Sequence, residues 1–214
     1  MFKVTLFSIF FLFFSDLKAQ ENCQIKKDKD GIKVYLCETE DSPFKTIKVD
    51  FEAKTTLKHY AAGILDIDNY KEWQYSVLDV YTLTQISNNE LIYYGEIETP
   101  WPLSHRDVVF NLKISQNSNT KTLTITLKQL PNYIPHKTGI VRVPSAESKL
   151  TVTPIDELHV KVRYILQIDP GGDVPAFLAN LFAAQTPWQT FYNYRSRLET
   201  SKFSQIEVPF VSNY

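Results

Sequence analysis

The chain has 214 residues, of which 43% are hydrophobic and 22% charged, and its formal net charge is -1. This composition is typical of one globular domain and excludes a disordered chain. The near-neutral charge provides no basic field for nucleic acid, and six glycines leave few positions for phosphate-cradling loops. We therefore expect neither a nucleic-acid partner nor a nucleotide-driven machine.

Residues 1–19 have the three-part pattern of a secretory signal peptide. Lys3 precedes an apolar stretch at 4–14, and the small Ala19 ends a short polar segment. Because about twenty apolar residues are needed to span a bilayer, this stretch is too short for a transmembrane helix; an uncleaved anchor is the alternative. We expect an exported protein, periplasmic or secreted, with one domain at 20–200 and a C-terminal tail at 201–214.

Cys23 and Cys37 are the only cysteines, and both follow the expected cleavage site. In an oxidising compartment such a pair predicts a disulfide, with two independent thiols as the alternative. The bond would close a loop of about 15 residues and contribute about 3 kcal/mol in the chain-entropy picture.

Period-two alternation of apolar and polar residues predicts an antiparallel sheet with one buried and one solvated face. The alternation is clearest at 47–52, 106–114, 123–128 and 159–168. After the first of these strands, residues 55–65 predict a short helix, and a helical turn follows at 69–73.

From Val174 onward the apolar residues recur at spacings of three and four, which predicts a long C-terminal helix. Asp173 is its expected N-cap, and Pro187 should kink the helix or restart it near Gln185. The broad apolar face predicts that this helix lies across the concavity of a curved sheet, an α+β arrangement.

Arg106 has the same parity as the apolar residues of its strand, so a regular strand would point the guanidinium to the buried face. An unpaired charge there would cost several kcal/mol, so a carboxylate or a ligand must neutralise it. The alternative is an arginine at the strand end that reaches solvent. Glu96 and Glu98 on the preceding strand are the candidate partners, and we choose Glu98. Asp107, of opposite parity, is expected to face solvent.

Four segments, in this order along the chain, resemble the START (StAR-related lipid transfer) domain family. They read DKDGIKVY at 28–35, PWPLSHRD at 100–107, GIVRV at 139–143 and DPGGDVPA at 169–176. The resemblance implies a helix-grip fold, in which a curved antiparallel sheet surrounds the C-terminal helix and encloses a hydrophobic tunnel. It also implies that residues 115–121 gate the tunnel together with the last helix. The cysteine pair and the export signal depart from the general family pattern.

By the same resemblance, the protein would bind one lipid (a sterol, phospholipid or fatty acid) and transfer it during transient contact with a membrane surface. It would act as a monomer without cofactor or metal. Arg106, paired with Glu98, would orient the polar head at the depth of the tunnel. The predicted tunnel walls comprise sheet and helix residues, namely Tyr94, Phe110, Leu112, Tyr164, Phe177, Leu181 and Trp188.

No catalytic motif occurs in the sequence: it contains no G-x-S-x-G elbow, no H-E-x-x-H zinc helix and no P-loop. We therefore expect no enzymatic activity. The alternative is a cyclase-like helix-grip enzyme that acts on an apolar substrate.

Overall fold

The computed structural model describes residues 22–40, 42–172, 174–199 and 206–213, with the backbone alone at 181 and 182. The predicted signal peptide at 1–19 and the predicted N-cap Asp173 lie outside the described residues. The strands within them are β1 (Cys23–Lys29), β2 (Ile32–Thr39), β3 (Ser42–Lys54), β4 (Val77–Ser87), β5 (Glu90–Ile97), β6 (Arg106–Gln116), β7 (Leu123–Gln129), β8 (Val141–Arg142), β9 (Ser145–Pro154) and β10 (His159–Asp169).

These strands form one curved sheet in the order β1-β2-β3-β10-β9-β7-β6-β5-β4, and every neighbouring pair on this path is antiparallel. The short β8 adds to β6 in parallel. All four segments with clear alternation fall within β3, β6, β7 and β10, so the predicted antiparallel sheet is confirmed. β1 and β4 are its two edges.

The predicted disulfide is confirmed. Cys23 lies directly opposite Cys37 across the β1–β2 pair, and the two sulfurs are bonded. The turn between these strands is Asp30-Gly31, where both residues have positive φ, 52° and 72°. Glycine adopts this left-handed conformation without steric cost, which explains the tight turn. The disulfide therefore fastens an edge strand to the rest of the sheet.

The two helical segments predicted in the first half of the chain are confirmed. Helix α1 spans Leu57–Leu65, and the Thr56 hydroxyl caps it by accepting a hydrogen bond from the backbone N–H of His59 at 3.2 Å. A 3₁₀ helix follows at Ile67–Glu72. Within the described residues, no helix is both long enough and apolar enough to cross a membrane.

The C-terminal helix is divided in two, as Pro187 predicted. Helix α2 spans Ala176–Phe182, and helix α3 restarts at the predicted residue, spanning Gln185–Leu198. Pro187 is the third residue of α3. A backbone N–H at this position has no acceptor within the helix, so a proline there breaks no helical hydrogen bond. Helix α3 lies in the concavity of the sheet, with the ring of Phe191 at 5.1 Å from Phe51 and 5.0 Å from Tyr164.

Part of the predicted tail packs against the domain. Within 206–213, Val208 and Val211 are buried in the main core. The backbone N–H of Ser212 donates to the side chain of Gln116 at 2.9 Å, and the Gln116 amide donates back to the Ser212 carbonyl at 2.7 Å. Because Gln116 ends β6, the tail covers the end of the sheet opposite to the one where β6 begins.

Candidate functional site

A cavity of about 570 Å³ lies between the sheet and helices α2 and α3. Its volume is within the range of about 300–1,000 Å³ found for small-molecule sites. The walls are mainly aromatic and aliphatic side chains, contributed by strands β5, β6, β7, β9 and β10 and by both helices: Tyr93, Val108, Phe110, Leu127, Leu150, Tyr164, Leu166, Leu178 and Phe191. Such a surface binds apolar groups by removing them from water.

One end of the cavity is formed by connections that leave the strand ends, and we call it the rim. It consists of the 99–103 loop after β5, Pro170 after β10, and Val174 with the start of α2. Trp101 in this loop is 92% exposed, and Phe177 in α2 is 74% exposed. Two large apolar side chains therefore project into solvent from the segments that close the cavity.

Arg106 lines the rim and is only 7% exposed. Its guanidinium donates to three backbone carbonyls, those of Ser104, Pro170 (3.5 Å) and Gly171 (3.3 Å). Burial lowers the pKa of Arg106 below its usual value, although an arginine remains charged. Parity thus identified an inward-pointing cation correctly, and neutral oxygens hold it.

Neither predicted carboxylate pairs with Arg106. Glu98 lines the same rim but is exposed, and it forms no ion pair with Arg106 within 4.0 Å. Glu96 lies on the other face, where its carboxylate is 3.6 Å from the Nδ1 atom of His105 and 3.8 Å from the Nζ atom of Lys137. Among the described residues, no carboxylate pairs with Arg106, and three backbone carbonyls accept its hydrogen bonds.

The expectation that Asp107 faces solvent is wrong. Asp107 is 1% exposed, and its carboxylate accepts from the Nε atom of Arg142 at 2.7 Å and from a terminal nitrogen of the same side chain at 3.0 Å. Arg142 also donates to the carbonyl of Pro131 at 2.8 Å. The outer face of β6 is covered here by the segment that leads to β8, in which Leu130 and Ile134 pack against Val109, so opposite parity places Asp107 in a second buried region rather than in water.

Two of the four predicted sheet residues line the cavity, namely Phe110 and Tyr164. Leu112 points to the same side but is fully buried in the main core. Tyr94 lies on the opposite face and stacks on Tyr81 with a centroid distance of 5.0 Å. The register explains this, because Phe110 is opposite Tyr93, which therefore takes the position expected for Tyr94.

The predicted helix residues do not line the cavity where they can be placed. Phe177 projects outward, and Trp188 packs against the β1–β2 end, where its indole N–H donates to the Lys29 carbonyl at 3.2 Å. The side chain of Leu181 lies outside the described residues. Leu178 and Phe191 contribute the apolar helix surface instead.

Sequence reasoning missed a polar pair on the wall. Ser148 and Tyr164 both line the cavity; burial raises the pKa of Tyr164 to about 12, and the neighbouring Ser148 side chain partly offsets this rise. Ser148 lies between inward-facing Ala146 and Leu150 in β9. A polar residue in an apolar series is the same signal that identified Arg106, and it could have identified Ser148.

The curved sheet, the helices in its concavity and the apolar cavity between them define a protein of the helix-grip class. The START domain family model matches residues 27–202, and the chain therefore belongs to the START domain family. The residues that gave the resemblance, from 28–35 to 169–176, lie within this match.

Similar proteins cover most of the chain. A Pseudomonas aeruginosa protein of uncharacterized function is 30% identical over 84% of this chain and 88% of its own length. The crystal structure of a STAR-related lipid transfer protein from Xanthomonas axonopodis is 29% identical, covers 84% of this chain and 100% of that chain, and has a TM-score of 0.75. The phosphatidylcholine transfer protein of Rattus norvegicus is 24% identical over 73% of this chain and 74% of its own length.

Proposed function

We propose that the protein binds one lipid in the cavity and transfers it between membranes outside the cytoplasm. One observation carries the proposal: an apolar cavity between sheet and helices whose rim holds a buried arginine without a carboxylate partner among the described residues. Relatives named for lipid transfer support it. The extracytoplasmic location rests on the signal-peptide pattern at 1–19 and agrees with a disulfide at Cys23–Cys37.

Transfer requires the rim to open at a membrane. Trp101 and Phe177 would insert among the head groups, where aromatic side chains are favoured. Helix α2 would be the element that moves, because the two hydrogen bonds of a single side chain, Asn180, attach it to the start of β3. The Asn180 side chain accepts from the backbone N–H of Lys45 at 3.1 Å and donates to the carbonyl of Pro43 at 3.2 Å. Helix α3 stays fixed on the sheet through its buried aromatic residues.

No chemical step is needed in this function. The cavity shields an apolar chain, and each methylene kept from water contributes about 0.8 kcal/mol, so release into water is slow and release into a membrane is fast. The lipid should therefore leave with the mass with which it entered. Recovery of a chemically altered lipid would favour the enzymatic alternative.

The test is lipid transfer between donor and acceptor vesicles, with the protein as a monomer in catalytic amounts. Arg106→Leu should change the preference among head groups more than it changes total binding of apolar ligands. Arg163→Leu is the matched control, because Arg163 is an exposed arginine that pairs with Asp50 on the outer face at 2.9 Å. Unchanged head-group selectivity in Arg106→Leu would remove this residue from the site, and an absence of transfer by the native protein would contradict the proposed function.

A further inference from the structure

The first strand of the sheet connects the disulfide to the start of helix α3. Strand β1 is an edge strand, and its neighbour in the sheet is β2. The ammonium group of Lys27 in β1 donates to the Gln185 side chain at 2.6 Å and lies 3.7 Å from the centre of the Trp188 ring. Because Gln185 is the first residue of α3, β1 contacts the point at which the divided C-terminal helix restarts.

The same end of α3 forms part of the cavity wall. Thr186 and Pro187 line the cavity, and they follow Gln185 directly in the first turn of the helix. Further along α3, Phe191 and Tyr194 are buried in the main core and fix the helix on the sheet. A loss of the β1 contacts would therefore act on the first turn, at the cavity, and leave the following turns in place.

The attachment of β1 depends on the disulfide. The ladder between β1 and β2 contains six register pairs, and a bulge before Lys27 divides them. At one end the strand continues into the Asp30-Gly31 turn, and at the other end Cys23 is bonded to Cys37. A two-stranded hairpin is marginally stable by itself, and β1 pairs with one strand, so the covalent bond keeps β1 from fraying.

We propose, on the basis of the proposed function, that the Cys23–Cys37 disulfide is a redox-sensitive latch that controls the rate of lipid exchange. In the oxidised state, β1 presents Lys27 to the first turn of α3 and holds the cavity wall closed. Reduction frees the N-terminal end of β1, the Lys27 contacts are lost, and the wall at Thr186 and Pro187 opens more often. The bond thus sets how long a bound lipid stays in the cavity.

The reductant that fits this latch is a dithiol. Cys23 is half-buried at the edge of the sheet, whereas Cys37 is 1% exposed, so an incoming thiolate reaches the Cys23 sulfur. Its attack breaks the S–S bond, forms a mixed disulfide with Cys23 and releases Cys37 as a thiolate, which takes a proton from water. The second thiol of the reductant then displaces Cys23, so that both cysteines end as thiols and the reductant ends as a cyclic disulfide.

A test that needs no ligand is hydrogen exchange on the full mature protein, oxidised or reduced with dithiothreitol, with the free thiols counted by mass spectrometry. The amides of 189–191 donate the bonds that close the first turn of α3, and we expect them to exchange at least about threefold faster after reduction. Lys27→Ala should cause the same acceleration with the disulfide intact. The matched control is Lys26→Ala, which should not, because Lys26 bonds to Gln24 within its own strand at 2.9 Å.

The functional test is transfer of two pyrene-labelled probes, a fatty acid and a phosphatidylcholine, from phosphatidylcholine donor vesicles to unlabelled acceptor vesicles. The reduced protein, Lys27→Ala and the double variant Cys23→Ser with Cys37→Ser should each transfer about threefold faster than the oxidised native protein, because each lacks the latch. Dithiothreitol should not change the rate of the double variant, which has no disulfide to reduce.

The outcomes separate the inference from the proposed function. Unchanged exchange at 189–191 in a protein whose two thiols are free would overturn the latch and leave lipid transfer standing. Faster amide exchange with an unchanged transfer rate would overturn the connection between the latch and the cavity. Absence of transfer of both probes in both redox states would contradict the proposed function and, with it, the control of lipid exchange, whereas the hydrogen exchange would still decide whether the disulfide holds the start of α3.

Discussion

Arg106 and Arg142 are both buried, but replacing them with methionine should have opposite consequences for stability. Arg142→Met leaves the 1%-exposed carboxylate of Asp107 without its bidentate partner, which should lower the free energy of unfolding by about 3–5 kcal/mol. Arg106→Met removes a charge that backbone carbonyls alone hold among the described residues. Its hydrogen bonds, about 1.5–3 kcal/mol each, are offset by desolvation of several kcal/mol, so the change should stay within about 1 kcal/mol or be stabilising.

The assay is urea unfolding of the delipidated variants, followed by tryptophan fluorescence. The double variant with Asp107→Leu and Arg142→Met is the control for the buried pair, because it removes both charges and should recover much of the loss. If Arg106→Met is as destabilising as Arg142→Met, Arg106 is a structural residue and the argument that a ligand completes its contacts is refuted.

Three further predictions concern Trp101 at the rim, the attachment of helix α2 by Asn180, and the buried hydroxyl of Tyr164. Trp101→Ala should slow transfer between vesicles about tenfold while ligand affinity changes little, because the side chain is 92% exposed; an unchanged rate would exclude membrane contact through Trp101. Asn180→Ala removes both bonds between α2 and β3, about 1–2 kcal/mol, so ligand exchange measured by stopped-flow fluorescence should accelerate at least fivefold; slower exchange would contradict the moving-helix account. Folding favours the neutral form of Tyr164, because its pKa is about 12 in the folded state and about 10 when unfolded. Its contribution to the free energy of unfolding should be fully present below about pH 10 and should be lost between about pH 10 and pH 12. Urea midpoints across this range check the last prediction, and a smaller decline in Tyr164→Phe would assign part of it to this residue.

The sequence predicts the architecture because periodicity is a property of the residues themselves. Alternation in β10 and the spacing change at Val174 are visible without any tertiary contact, and both correspond to elements of the structure. Pro187 marks the break between α2 and α3 for a local steric reason. The inward direction of Arg106 follows from parity alone.

The candidate site is less predictable because it depends on which surface covers each face. Parity separates Asp107 from Arg106 correctly, but it does not reveal that the segment before β8, with Leu130 and Ile134, covers the outer face of the sheet. Likewise, the choice between Tyr93 and Tyr94 depends on the β5–β6 register, which the sequence does not determine.

Loop geometry explains the remaining difference. The resemblance points to residues 115–121 as part of the gate, yet none of them lines the cavity; the 99–103 loop does. Both loops adjoin β6, one at each end, and Gln116 is tied to the tail at 206–213. Which end of the strand is open therefore depends on the packing of the last residues of the chain.

The most direct test of the account is native mass spectrometry of the protein as purified, followed by extraction and identification of any bound molecule. The account predicts one discrete added mass that extracts as a chemically unaltered lipid, and a smaller retained amount in Arg106→Gln. A protein that is recovered empty, and that takes up no lipid from vesicles of mixed composition, would contradict the claim that the cavity is a lipid site.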